Sequence, residues 1–167
     1  MVIRSRRSRG FTLVEAMMVV AILGIVSSIG ASIMIQAQRY FIYAKTRTDL
    51  QREARAIMYV MTREVRQAQS LSIVISQSSV NSPPMSKITF TKEQGKSMSF
   101  YQTGNQLVQL AGNDKTILTT HLAYLAFTFP RSDDMTIISV DVTLQESIYG
   151  SKQKTLHMAS QKVQVMD

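Results

Sequence analysis

Glu15 is the single charged side chain in the 25 residues from Phe11 to Ile35, and it is where this sequence first calls for chemistry. A carboxylate inside an apolar span costs on the order of 2.5–3.5 kcal/mol on insertion scales, so it normally serves a partner. The plain alternative is that Glu15 lies near the start of a helix and reaches the polar interface. Other chemically capable residues are sparse. His121 and His157, both in expected strands, would need a carboxylate to complete a zinc site, and there is no cysteine. Asp133 and Asp134, with Asp114 or Asp141, offer calcium-type oxygens, but no ordered ligand loop surrounds them. A plain turn accounts for them better. The serines sit in no G-x-S-x-G elbow, and neither a G-x-G-x-x-G fingerprint nor a phosphate loop occurs. No metal, no cofactor and no enzymatic activity are expected.

The element that must position Glu15 is a long apolar helix. Ten residues precede it, carrying Arg4, Arg6, Arg7 and Arg9 and no acid. At about 1.5 Å per residue the apolar run reaches roughly 37 Å, enough to cross a hydrocarbon core of about 30 Å. The four arginines hold its N-terminal end on the cytoplasmic side, which places the remainder across the membrane. An ordinary secretory signal is a poor description. The run exceeds the usual apolar region of about 7–15 residues, and no small-x-small site closes it clearly before Gln36. The small residue Gly10 stands instead between the basic leader and the apolar run.

Arg9-Gly10-Phe11-Thr12-Leu13-Val14-Glu15, after an arginine-rich leader and before an apolar helix, resembles the prepilin signature of type IV pilins and type II secretion pseudopilins. The resemblance implies that a prepilin peptidase cuts between Gly10 and Phe11 on the cytoplasmic side and methylates the new amine of Phe11. It also implies that Glu15 faces the Phe11 ammonium of a neighbouring subunit and sets axial register. The physics agrees: cleavage creates a positive charge at a helix N-terminus in lipid, and an adjoining carboxylate neutralises it. Gly10 presents no side chain to obstruct a protease at the membrane surface.

The 167 residues fit one modest domain plus an anchor. A pI near 10.0 invites a nucleic-acid reading. Part of that charge is the leader: without its four arginines, 15 bases face 11 acids and the net charge falls to +4. The bases between Arg39 and Arg66 are interspersed with Asp49, Glu53 and Glu64, which reads as a solvated or subunit-facing helix surface. Nucleic acid is therefore not an expected partner. The absence of cysteine removes disulfides and thiol catalysis and leaves the redox compartment open.

From Gln36 to Ser70 no proline occurs, and Leu50, Ala54, Ile57, Met58, Met61, Val65 and Ala68 recur at helical spacing as one apolar stripe. The methionines read as core filler. Arg47, Arg52, Arg55, Arg63 and Arg66 fall mostly off the stripe. A single helix from about Thr12 to Ala68 is expected, its second half packed on a sheet. Leu71–Ile75 is β-rich, and Ser76–Met85, with Pro83-Pro84, reads as an exposed connection. Runs at 87–91, 97–101 and 106–110, separated by turns at Gly95, Gly104 and Gly112, predict an antiparallel meander. Further strands are expected at His121–Phe129, Thr136–Leu144 and, beyond Gly150, about Lys154–Val165. The fold class is α+β, one long N-terminal helix on an antiparallel β-sheet, and the resemblance makes it a pilin fold. The organisation is a leader at 1–10, a transmembrane and fibre-core helix at 11–35, an amphipathic helix at 36–70 and a globular sheet domain at 71–167.

Ala54-x-x-Ile57-Met58-x-x-Met61-x-Arg63-Glu64-Val65-Arg66-Gln67-Ala68 resembles the helix end of J-type minor pseudopilins and W-type minor pilins. The first hairpins, Lys87–Phe90, Ser99–Tyr101 and Gly104–Leu107, and the strand Leu122–Phe129 resemble theirs too. Ser32 stands where major pilins of the family commonly carry a proline, and major pilins often brace their C-terminal region with a disulfide. The implied role is a minor subunit, anchored in the inner membrane with a periplasmic C-terminal domain. It would assemble with other minor subunits and the major subunit through its N-terminal helix, priming and capping a pilus or pseudopilus. Two alternatives stand: a major fibre subunit, separable by filament composition, and a signal-anchored periplasmic binding domain, which has no need of Glu15.

Overall fold

The computed structural model describes residues 10–131, 133–148 and 153–165. Arg4, Arg6, Arg7, Arg9 and Gly150 lie outside the described residues. One helix, α1 (Leu13–Arg66), is followed by a 3-10 turn (Ser70–Ser72) and eight strands. The chain divides into two compact units, the first ending at Ile42 and the second beginning at Tyr43.

Within the first unit α1 is long and apolar enough to cross a membrane, and none of its most apolar window is buried in the structure. Its two hydroxyl-bearing turns hide their polarity locally. Ser28 Oγ donates to Ile25 O and Ser32 Oγ to Ile29 O, each at 2.8 Å. These bonds satisfy groups that water would otherwise have to satisfy.

In the second unit α1 buries Leu50, Ala54, Ile57, Met58, Met61 and Val65, and Ala68 beyond its end is buried too. This is the whole stripe expected from the 3.6-residue period. Each large side chain taken fully from water contributes about 1.5–3 kcal/mol. The helix is shorter than the expected 36–70 segment. Gln67 and Ala68 donate to Glu64 O and Val65 O in a tightened last turn. Ala68 then bridges Lys92, and Gln69 N donates to Thr91 O at 2.9 Å, so strand contacts take over before another helical turn can form.

The strands form two sheets rather than the single sheet expected. β1 (Val74–Ser76), β2 (Lys87–Thr91), β3 (Ser97–Thr103), β4 (Gln106–Ala111) and β5 (Asp114–Thr119) make an antiparallel meander in that order. β6 (Leu122–Thr128), β7 (Ile137–Ile148) and β8 (Gln153–Gln164) make a second antiparallel sheet. Two backbone bonds of 2.9 Å couple them, from Leu122 N to Asn105 O and from Phe127 N to Met85 O. Phe90 and Phe100 stack tilted at 6.2 Å beneath the helix stripe, and Phe127, Leu125, Val140, Val142 and Leu144 close the same core from the second sheet.

The sequence reading differs from the structure at three further places. Leu71 and Ser72 lie in the 3-10 turn, and β1 starts at Val74. β5 occupies residues expected to be turn and connection. β7 runs four residues past Leu144, because β8 pairs with it over its whole length.

Candidate functional site

The site begins at Gly10, where a built Cβ would meet nothing within 4 Å. Nothing in the packing of the described residues requires a glycine there. Phe11 is 80% exposed. Thr12 then caps α1. Its hydroxyl accepts from Glu15 N at 3.3 Å, while Glu15 Oε2 accepts from Thr12 N at 3.1 Å and from Thr12 Oγ1 at 3.2 Å. Thr12 O accepts the first helical bond from Ala16 N at 3.2 Å. The arrangement is a reciprocal capping box, threonine at the cap and glutamate three residues on. It satisfies amide donors that a helix start leaves orphaned, and it sets a negative group at the positive pole of the helix dipole.

Glu15 thus has a partner inside its own chain, and that partner is Thr12. The sequence reading weighed Glu15 against a neighbour's ammonium or the interface and overlooked the threonine. The pattern Thr12-x-x-Glu15 was nonetheless visible, since it is the written signature of a capping box. Phe11 stands one residue before the cap. The box holds the only carboxylate of the span within that first turn.

A second polar cluster lies in the globular unit. Glu64, read from sequence as part of a solvated helix face, is buried. Its Oε1 accepts from Arg63 Nη2 at 2.7 Å and from Arg63 Nε at 3.1 Å, and its Oε2 meets the Lys92 ammonium. Lys92 also donates to Gln67 Oε1 at 3.1 Å. Burial pushes the Glu64 carboxyl up, but the bonds and charges of Lys92 and Arg63 outweigh it and hold it below the ordinary carboxylate range. The cluster ties the end of α1 to the turn after β2.

His121 and the aspartates do not converge. His121 Nδ1 lies 3.0 Å from Glu53 Oε2, whereas His157 sits on β8 opposite Leu144. Asp134 Oδ1 accepts from Thr136 N at 2.9 Å and from Thr136 Oγ1 at 2.5 Å, which lowers its pKa, and Asp133 pairs with Arg131 at 3.2 Å. Among the described residues no three metal-ligating side chains come together.

Residues 5–31 match the family described as the prokaryotic N-terminal methylation motif. The match takes in Arg6, Arg7, Arg9, Gly10, Phe11 and Glu15 and ends just before Ser32. It supports a type IV pilin-like precursor. No curated protein and no solved structure matches the chain.

Proposed function

We propose that this chain is a minor pilin or pseudopilin, a structural subunit with no catalytic activity of its own. A prepilin peptidase removes residues 1–10 on the cytoplasmic side and methylates the amine of Phe11. The apolar half of α1 holds the subunit in the inner membrane with the globular unit in the periplasm. From there it joins other minor subunits, and the major subunit, through the same helix. The complex primes a pilus or pseudopilus and caps its tip.

The observation that carries this reading is the first turn of α1. A single carboxylate is held there within five residues of the proposed cleavage junction, at the head of a helix whose N-terminal apolar half is uncovered among the described residues. In a fibre, Glu15 would exchange its capping role for the neighbouring Phe11 ammonium. Minor rather than major status is supported by Ser32, which leaves the helix unbroken where family major subunits carry proline, and by the lack of cysteine.

The test is the intact mass and N-terminal residue of the protein from membranes of its native cell, together with its co-purifying subunits. The expected result is a chain beginning at N-methylated Phe11 that brings down other minor subunits, with Glu15→Ala processed but alone. A chain still beginning at Met1 in cells with active peptidase would overturn the reading.

A further inference from the structure

β8 is hydrogen-bonded along one side only. Val165 N donates to Thr136 O at 2.8 Å, continuing an antiparallel register without a bulge. That phase turns the odd-numbered residues toward β7. It leaves Leu156, Met158, Ser160, Lys162 and Gln164 with their N–H and C=O groups on the outer edge. No hydrogen bond reaches that edge among the described residues. It is about 30 Å of unbulged strand at roughly 3.4 Å per residue. Natural edges are usually blunted by proline, bulges or extreme shortness. β1 is three residues long and the β4–β5 register is bulged, whereas β8 has neither proline nor bulge and carries one exposed charge, Lys162, on the described part of its edge.

Beside this edge runs a groove of about 570 Å³. Arg55, Tyr59, Arg63 and Arg66 of α1 line one side at helical spacing, the buried Met58 lies among them, and Gln161 of β8 closes the other side. Thr62 Oγ1 donates to Gln161 Oε1 at 3.3 Å and holds strand and helix together there. Among the described residues no carboxylate lines the groove. Arg63 is engaged by Glu64, while Arg55 and Arg66 make no hydrogen bond or ion pair among the described residues. On the opposite face of the strand Leu156 and Met158 are 59% and 78% exposed, and Tyr124 follows in the row through Thr143.

We propose that the free edge of β8 accepts an extended segment of a partner protein as an added strand, one alternating acidic and apolar side chains. Main-chain bonds to the even-numbered residues supply the register. Side chains on the helix side meet Arg55, Arg63 and Arg66, so acids belong there, and arginine forks suit carboxylates. Side chains on the other face lie along Leu156 and Met158 at one end and Ser160, Lys162 and Gln164 at the other, so apolar residues belong at the Leu156–Met158 end. A second copy of β8 is a poor occupant: it has lysines and no acid, and would set like charges together.

The experiment uses the full chain in detergent micelles and a fluorescent peptide alternating valine and glutamate. Saturable binding is expected, weakened tenfold or more by Arg55→Glu with Arg66→Glu and by added salt. N-methylating one alternate set of peptide amides should abolish binding, while methylating the other set should leave it intact. That comparison needs no variant of the protein. Ser160→Pro, which removes an outward N–H without disturbing the β7 ladder, should weaken binding similarly. Absence of saturable binding, equal binding of the two methylated peptides, or complete displacement by oligothymidylate at lower concentration would each overturn the proposal.

Discussion

Thr12 and Glu15 hold each other: the threonine hydroxyl accepts the glutamate's amide, and the glutamate's carboxylate accepts the threonine's amide. If Glu15 serves another subunit in a fibre, as proposed, it starts from a satisfied state, and handing it over costs the cap. Losing a threonine cap costs about 1 kcal/mol. Thr12→Val keeps the shape and removes the hydroxyl. Its expected effect is faster hydrogen exchange at Glu15 and Ala16 in micelles, with the amides beyond Ser32 unchanged; unaltered exchange at Glu15 would refute the box.

Gly10 has open space around it, so the fold should tolerate a larger residue there. Gly10→Leu is expected to insert and fold normally yet remain an uncut precursor in cells. Normal processing of this variant would remove the cleavage proposal while leaving the structure untouched.

The Glu64–Lys92 pair makes an acid-sensitive contribution. The Glu64 carboxyl is depressed in the folded chain relative to an unfolded value of about 4.3. Its stabilisation is therefore complete above that unfolded value and is lost as pH falls through the lower folded value. Lys92→Met leaves Glu64 Oε2 without its partner while Arg63 still holds Oε1, and is expected to cost about 1–3 kcal/mol at neutral pH. Adding Glu64→Gln should recover much of that and flatten the acid limb of the urea midpoint. A double variant no better than the single one would mean the pair is not coupled.

Met61 and Tyr59 lie two positions apart on α1 and face opposite ways, Met61 fully buried and Tyr59 68% exposed. Met61→Ala is expected to cost about 2–5 kcal/mol. Tyr59→Ala should fall within about 0.5 kcal/mol. Equal losses would mean that the second half of α1 packs on a different face.

Met85 holds a left-handed backbone at φ 64°, pinned where its carbonyl accepts from Phe127 N. A side chain in that region costs about 1–2 kcal/mol, part of which glycine gives back as unfolded-state freedom. Met85→Gly is expected to leave the melting temperature unchanged or raised, unlike Gly104→Ala, where φ is 56° in the turn between β3 and β4 and a new Cβ should lower it.

Much of this architecture was legible because it is periodic. The stripe from Leu50 to Ala68 repeats every three or four residues and is buried throughout, and the turns at Gly95, Gly104 and Gly112 all have positive φ. β5 was missed because Asp114–Leu118 carries no buried alternation; the hairpin at Gly112 and pairing with β4 make it a strand. The burial of Glu64 was out of reach for a similar reason. Its partner Lys92 is 28 residues away, and only the fold brings the two together. At the N-terminus Gly10, Phe11 and Glu15 stood out because charge and size are scarce there. Thr12 did not, since a threonine earns notice only beside the glutamate it caps.

The stretch from Gly24 to Ser32 has a mechanical consequence. Its two glycines each weaken a helix by about 1 kcal/mol relative to alanine, and Ser28 and Ser32 direct their hydroxyls onto the very carbonyls that hold the turns. Under tension along α1 this stretch is expected to yield before the glycine-free turns on either side. Nine residues drawn from about 1.5 Å to about 3.4 Å each lengthen by roughly 17 Å. Because α1 carries no proline and runs unbroken through this stretch, that length is held in helical turns.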